Sequence, residues 1–462
     1  MSRLVVVSNR VADLETASQS GGLAVALEAA LKENGGLWFG WDGNVVEDDA
    51  PLTPRLIEHN AIDIVTVPLT RNEYETYYLG YSNKVLWPSL HYRLGLLDYQ
   101  STFLEGYRRV NARMAEQLAK LIGPQDVVWV HDYHLVPLAS ELRKHDIGVR
   151  IGFFLHIPFP PPDVLVAVPD HAWLVETLFA YDLIGFQTSG DVANFQRYVT
   201  EQAGGTVGPG GQTSAFGRSI AVRCFPIGID VDSIYEMAHT PQAEAQIQRL
   251  AQRALNRMQI IGVDRLDYTK GLPDRLRAFR RLLELYPGNI KRVTLMQVAP
   301  PTREEVAAYA EIRQELEGLS GAINGEFGDF DWTPVRYIHR AVPRDTLAAL
   351  FRGSKAGLVT PLRDGMNLVA KEYIAAQDAA DPGVLILSRF AGAAEDLEEA
   401  LIVNPYDVDD VANAMQRALN MPFEERAERH QALLKRVRAR DVRHWRETFL
   451  GALSRTGQCQ AA

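Results

Sequence analysis

Cysteine is nearly absent. Cys224 and Cys459 are the only two in 462 residues, and they lie too far apart in sequence to form a metal or redox motif. That scarcity suits a reducing cytoplasm. Long apolar runs are missing as well, since nothing approaches the ~20 residues needed to span a bilayer. The opening MSRLVVVSNR is too short and turns polar too soon for a signal peptide. Nor is there a surplus of positive charge: 48 Lys and Arg stand against 58 Asp and Glu, a net charge of −10. This balance argues against nucleic acid or an anionic membrane as the main partner. No GxxxxGK[ST] loop occurs, so triphosphate cleavage is not indicated. These absences lead to the expectation of a soluble cytoplasmic protein acting on small molecules, with self-association into a homo-oligomer left open.

What remains is an ordinary globular composition, 47% hydrophobic and 23% charged, in a chain long enough for two domains. The pattern alternates strand and helix. Leu4–Ser8, VVWVHD (127–132), IGFFLHIPFP (151–160), LIGFQT (183–188) and AVRCFPIGID (221–230) read as strands of a first half. After a Gln/Ala/Glu/Arg-rich helical segment (241–257) the rhythm restarts. QIIGVDR (259–265), RVTLMQVA (292–299), VRYIHR (335–340), AGLVTP (356–361) and VLILSRF (384–390) read as strands, and TREEVAAYAEIRQELEGL as a helix. Continuous β-branched runs of this kind suit parallel strands buried on both faces. Two doubly wound α/β halves are expected, 1–235 and 236–440. A last helix within 441–462, carrying Trp445, Phe449 and Leu450, should return to the first half.

The most informative stretch is 356–377, AGLVTPLRDGMNLVAKEYIAAQ. A short strand, a polar turn in which Gly365 is free to take positive φ, and a helix opening at Asn367 would leave backbone N–H groups facing outward. Such a place holds anions or ligand hydroxyls. Met366 to Val369 would present main-chain donors, and Glu372 could accept from a ribose diol.

Ligands of open α/β sheets bind outside the carboxyl ends of the strands. The first half offers Arg10, Asp132 and His156 there, and the second offers Arg265, Lys270, Arg303 and Asp364. Four basic groups at such exits, in an acidic chain, point to a phosphate-bearing ligand. In VDRLDYTKG (263–271), Arg265 and Lys270 flank a turn from which they can grip a diphosphate, one as a fork and one as a point charge. Gly21-Gly22 opens another helical pattern that could approach a phosphate. HDYH (131–134) is a weaker candidate for a metal, because in a strand His131 and Asp132 point to opposite faces. His156 faces a ligand or is a satisfied structural histidine. The aromatic clusters in 35–43 and 72–93 read first as packing, and second as the wall of a sugar site.

Several segments together resemble the trehalose-6-phosphate synthase family, retaining nucleotide-sugar glycosyltransferases of the GT-B type. They are SNR at 8–10, SGGLA at 20–24, LWFGW at 37–41, VLWPSLHYR at 85–93, HDYHL at 131–135, GFFLHIPFP at 152–160, DRLDYTKG at 264–271 and PLRDGMNLVAKEY at 361–373. The resemblance runs from about residue 3 to 450. It implies a GT-B fold, with two Rossmann-like domains facing each other across a cleft, the nucleotide held by the second half and the acceptor by the first. It implies transfer of glucose from UDP-glucose to glucose 6-phosphate, giving α,α-trehalose 6-phosphate, without cofactor or required metal.

By motif, Gly21, Gly22, Arg265, Lys270, Leu368, Val369, Ala370, Lys371 and Glu372 would hold UDP-glucose. Arg10, Tyr78, Asp132 and Arg303 would hold glucose 6-phosphate, while Trp87 and His156 orient the acceptor sugar. Asp364 would contact the transferred glucose. The implied catalytic set is His156, Asp364, Arg265 and Lys270. Val342 stands where the family carries an aromatic residue near the uracil, which bears on base preference and not on the reaction. Two rival readings stay open: a validoxylamine-type pseudo-glycosyltransferase, and a non-catalytic sugar-phosphate sensor. The intact Arg265, Lys270, Asp364 and Glu372 speak against the second.

Overall fold

Leu4–Arg10 (β1) is the first strand, with Val5, Val6 and Val7 wholly buried as a parallel strand covered on both faces requires. The structure, a computed structural model, describes residues 3–11, 27, 31, 35–59, 62–253, 257–303 and 305–456. It divides into two units. One is built from the chain up to Pro226 and from Arg443 onward, the other from Ile227–Val442.

In the first unit β1 is followed by Gly36–Val46 (β2), Arg55–His59 (β3), Ile62–Thr70 (β4), Val127–His131 (β5) and Arg150–Phe154 (β6). Leu183–Phe186 (β7), Thr206–Val207 (β8), Gln212–Ala215 (β9) and Arg218–Cys224 (β10) complete one sheet, in the order β3-β4-β2-β1-β5-β6-β7-β10-β9-β8. The strands from β4 across to β10 pair in parallel, and β3 and β9 join antiparallel at the margins. From β1 the chain first builds outward through β2 to β4, then crosses to β5 on the other side. The reversal makes a crevice beyond the ends of β1 and β5.

The close fit of β2 against β1 depends on glycine. A Cβ at Gly40 would lie 2.1 Å from the Ser8 carbonyl oxygen. On β6 and β7, Gly152 and Gly185 make the same allowance for the Phe449 ring, which a Cβ at either would approach to 2.8 Å. Phe449 and Trp445 belong to the helix Val442–Arg455; Phe449 stacks on Trp129 of β5 and Trp445 packs tilted against it, with ring centroids 4.7 and 4.8 Å away.

The second unit has Met258–Val263 (β11), Val293–Val298 (β12), Val335–Ile338 (β13), Ala356–Val359 (β14), Val384–Ser388 (β15) and Leu401–Val403 (β16). All are parallel, in the order β13-β12-β11-β14-β15-β16. This is the doubly wound dinucleotide-fold order, and its reversal lies between β11 and β14. Both sheets therefore follow the doubly wound scheme expected from the sequence.

Three details differ. The run AVRCFPIGID is strand only through Cys224, because Pro226 brings no N–H to the ladder. The helix expected from Thr302 begins at Ala307 and continues to Phe327. The positive φ of the 361–367 turn lies at Asn367 (72°) and not at Gly365. Asparagine tolerates that region, and its Nδ2 is held by two carboxylates, as described next.

Candidate active site

The second-unit crevice is built by two loops. The loop after β11 carries Asp264, Arg265 and Asp267, then a 3₁₀ turn Tyr268–Lys270 and Gly271 at φ 63°, from which the helix Leu272–Leu285 departs. The loop after β14 carries Thr360, Asp364 and Asn367, the residue capping the helix Leu368–Ala376. The two meet where Lys270 Nζ donates to Asp364 Oδ2 at 2.5 Å, both side chains being nearly buried. Asn367 Nδ2 donates to Asp364 Oδ2 at 3.0 Å and to Asp264 Oδ1 at 3.3 Å. Beneath them the wholly buried Arg275 donates to Asp264 Oδ2 (2.8 Å), Gln297 Oε1 (3.0 Å) and Thr360 Oγ1 (3.1 Å). It thereby joins the ends of β11, β12 and β14. Gly262 makes room for it, since a Cβ there would sit 2.4 Å from the guanidinium.

Burial raises the Asp264 carboxyl above its ordinary range, against the opposing pull of Arg275 and Lys270. Asp267 behaves differently. Burial would raise it too, but Arg303, Lys270 and Arg265 around it hold it below the usual carboxylate range. Arg265 is exposed at the mouth of the loop, whereas the Arg303 side chain is only 6% exposed.

Of the other residues expected at the donor, Leu368, Val369 and Ala370 form the first turn of the helix that Asn367 caps. Lys371 is placed otherwise: its ammonium is buried and donates to the Ile227 carbonyl at 2.8 Å, which leaves only its backbone at the helix opening. Glu372 lies 3.9 Å from Arg344, and burial raises its carboxyl despite that arginine. Val342 is half-buried, two residues before Arg344 on the loop after β13. Gly21 and Gly22 lie outside the described residues.

The first-unit crevice gathers another group. Arg10 ends β1, with its guanidinium carbon 5.9 Å from the Trp41 ring, and the Tyr78 ring lies 5.3 Å from that same indole. Tyr78 belongs to the π-helical stretch Tyr74–Leu86, whose Tyr77 and Tyr81 are wholly buried. These aromatics are core residues, with Tyr78 half-buried beside Trp41. Asn83 Nδ2 donates to the Tyr78 carbonyl, and the Tyr133 hydroxyl donates to Asn83 Oδ1. The Tyr133 ring lies 5.6 Å from Trp87, itself nearly buried.

Asp132 follows β5 at φ 75° and accepts from the backbone N–H of His156 at 3.2 Å. His156 Nε2 faces His131 Nδ1 at 3.1 Å, so one ring donates and the other accepts. Burial pulls His156 down to about 3 and His131 well below the ordinary value, leaving both imidazoles neutral.

A profile of Glycosyltransferase family 20 matches residues 3–455. The chain belongs to this family. It is 49% identical over 457 residues to the trehalose-6-phosphate synthase of Enterobacter sp. (strain 638), covering 99% of this chain and 96% of that protein. Among solved structures, the UDP-forming α,α-trehalose-phosphate synthase of Burkholderia xenovorans in complex with glucose-6-phosphate is 49% identical. It superposes with a TM-score of 0.95 over 98% of this chain and 100% of that one. The E. coli structure bound with UDP-2-fluoro glucose is 46% identical, with a TM-score of 0.94 over 98% and 99%.

The fold of this family 20 chain is GT-B, built of two Rossmann-like α/β domains. Among its described residues no group of three or more His, Cys, Asp or Glu could hold a metal ion, and no helix is long and apolar enough to cross a membrane. Asp264, Asp267 and Tyr309 do not stand out in the sequence, and neither Asn367 as a side-chain donor nor His131 as the partner of His156 is visible there. The usable signal is the pair of acidic residues interleaved with Arg265 and Lys270 in DRLDYTK, since a carboxylate buried among cations is seldom incidental.

Proposed function

We propose that this chain transfers glucose from UDP-glucose to the C1 hydroxyl of glucose 6-phosphate with retention, releasing UDP and α,α-trehalose 6-phosphate. One observation carries the reading within the site: Lys270, held by Asp364, stands with Arg265 and the opening of the helix Leu368–Ala376 at the second-unit switch point. When the C1–O bond to the β-phosphate breaks, negative charge builds on the leaving diphosphate. Lys270, already held by Asp364, and the helix N-terminus would stabilise that charge without rearranging, and Arg265 would add a second cation. On the acceptor side Arg10 and Tyr78, around Trp41, would hold the phosphate group. Asp132 would accept from a sugar hydroxyl, and His156 would present its ring to the sugar while Trp87 supports the wall.

A double displacement needs a free carboxylate near C1 on the face opposite the leaving group. Asp364 is poorly suited, because its Oδ2 already accepts from Lys270 and Asn367. The reading that follows is departure and attack on one face. The bond from C1 to the acceptor oxygen forms as the bond to the phosphate oxygen breaks, and the acceptor proton passes to that phosphate oxygen.

The test is UDP release across a panel of nucleotide-glucoses and sugar phosphates, with the product assigned by NMR and the protein followed by rapid-quench mass spectrometry. Turnover should require glucose 6-phosphate, the product should be α at both anomeric carbons, and the protein should stay unmodified. Turnover only with an amino-cyclitol phosphate, or a kinetically competent glucosyl adduct on Asp364, would overturn it.

A further inference from the structure

Asp267 and Tyr309 have no substrate role above, yet both touch Arg303, and Asp267 also bonds the turn that bears Lys270. Tyr309, on the helix Ala307–Phe327, is almost wholly buried. Its hydroxyl donates to Asp267 Oδ2 at 3.1 Å and accepts from Arg303 Nη1 at 2.9 Å. A phenol has one proton, so its direction is fixed: the hydrogen goes to the carboxylate and a lone pair is left for the guanidinium. Burial and the neighbouring Asp267 raise this phenol well above its ordinary value, so it remains a donor.

Arg303 itself adopts φ 47°, unusual for a residue with a side chain, and its guanidinium lies 3.7 Å from Asp267. The other oxygen of Asp267, Oδ1, accepts from the backbone N–H and the hydroxyl of Thr269, both at 2.9 Å. Thr269 adjoins Lys270, whose own N–H donates to the Asp267 carbonyl at 3.0 Å. The Thr269 carbonyl in turn accepts from Leu362 N of the β14 loop. One buried carboxylate therefore reaches Arg303 through its Oδ2 and the turn bearing Lys270 through its Oδ1.

We infer that Asp267 and Tyr309 are positioning residues: Tyr309 aims the Arg303 guanidinium at the acceptor phosphate, and Asp267 ties that arginine to the turn that holds Lys270 at the donor diphosphate. This rests on the reading of Arg303 as an acceptor-phosphate ligand. The two residues then act differently. The Tyr309 hydroxyl meets Arg303 directly and reaches the Lys270 turn only through Asp267, while its ring packs edge-on against Tyr268 of that turn, a contact that Tyr309→Phe keeps. Asp267 bonds the turn itself.

The experiment compares Tyr309→Phe, Asp267→Asn and Arg303→Ala, measuring KM for glucose 6-phosphate and for UDP-glucose separately. KM does not depend on the fraction of enzyme that is folded, so a loss of stability leaves the comparison intact. Tyr309→Phe should raise KM for glucose 6-phosphate about tenfold, the scale of one hydrogen bond to a charged group, with the UDP-glucose value unchanged. Asp267→Asn should raise both. Combining Tyr309→Phe with Arg303→Ala should add little beyond Arg303→Ala alone, since the phenol acts through the arginine. If Arg303→Ala leaves KM for glucose 6-phosphate unchanged, the underlying reading of Arg303 fails. If Arg303→Ala raises it and Tyr309→Phe does not, or if Tyr309→Phe raises both constants equally, the positioning inference fails and that reading stands.

Discussion

His131 and His156 face each other across 3.1 Å with no charge between them, and that neutrality has a consequence for stability. In the unfolded chain each imidazole titrates near its ordinary ~6.5. In the folded chain burial holds His156 at about 3 and His131 well below its usual value. Below the unfolded value the unfolded state binds more protons, so stability must fall as the pH falls. The contribution is complete above ~6.5 and is lost progressively from there toward about 3. Asp132 meets this arrangement through its carboxylate, which accepts from the His156 backbone N–H. The double variant His131→Gln/His156→Gln should show a flatter decline in urea midpoint between pH 7 and 5 than the unaltered protein. An identical slope would show that the pair is not the source of the acid sensitivity. His156 was legible in the sequence from its place at a strand exit, but its partner was not. His131 reads as a residue of the strand 127–132 and as part of a weak metal candidate, and only the pairing of β5 with β6 brings the two rings together.

At the scale of elements, the second-unit crevice is held by one arginine. Arg275 lies on the helix that follows the Lys270 turn, and it reaches three strand ends through Asp264, Gln297 and Thr360. Removing it leaves the Asp264 carboxylate buried with its main counter-ion gone, a change that typically costs about 3–5 kcal/mol. Arg275→Ala should lower unfolding stability by that order in denaturant melts. A loss below about 1 kcal/mol, the range of exposed pairs, would mean that the network relaxes or fills with water. Nothing in LPDRLRAFRRLLEL marks this arginine from its neighbours, since only burial distinguishes it. Other elements were hidden for related reasons. GLWFGWDGNVV does not read as a strand, because Gly36 and Gly40 answer to the β1 backbone and Gly43 to the Arg10 side chain rather than to strand propensity. The π-helical turn at Tyr74–Leu86 lacks the 3.6-residue period on which a helix is recognised.

Across the whole molecule, both sheets were legible because their central strands are continuous apolar runs. VVWVH, RIGFF, LIGF, VTLMQV and VLILS need no partner to be recognised. The margins were not legible: β3 is largely exposed and β8 has two residues, so neither carries a burial pattern to read. Strand exits could be named from order alone, but the Lys270–Asp364 pairing could not, since 94 residues separate the two in sequence. The distribution of charge extends the same logic to chemistry. The chain is acidic overall, at −10, yet Arg265, Lys270 and Arg303 gather beyond the carboxyl ends of one sheet. A divalent ion on the diphosphate would want carboxylate oxygens from the protein. The carboxylates present are engaged: Asp264 by Arg275, Asp267 by Thr269 and Tyr309, and Asp364 by Lys270. If Arg265 and Lys270 carry the leaving diphosphate as proposed, removing divalent ions should take nothing essential from the leaving group. Exhaustive EDTA treatment, followed by assay in chelator-treated buffer of matched ionic strength, should leave most of the UDP release. Abolished activity, restored by one divalent ion and by no other change of salt, would show that a metal supports the leaving group.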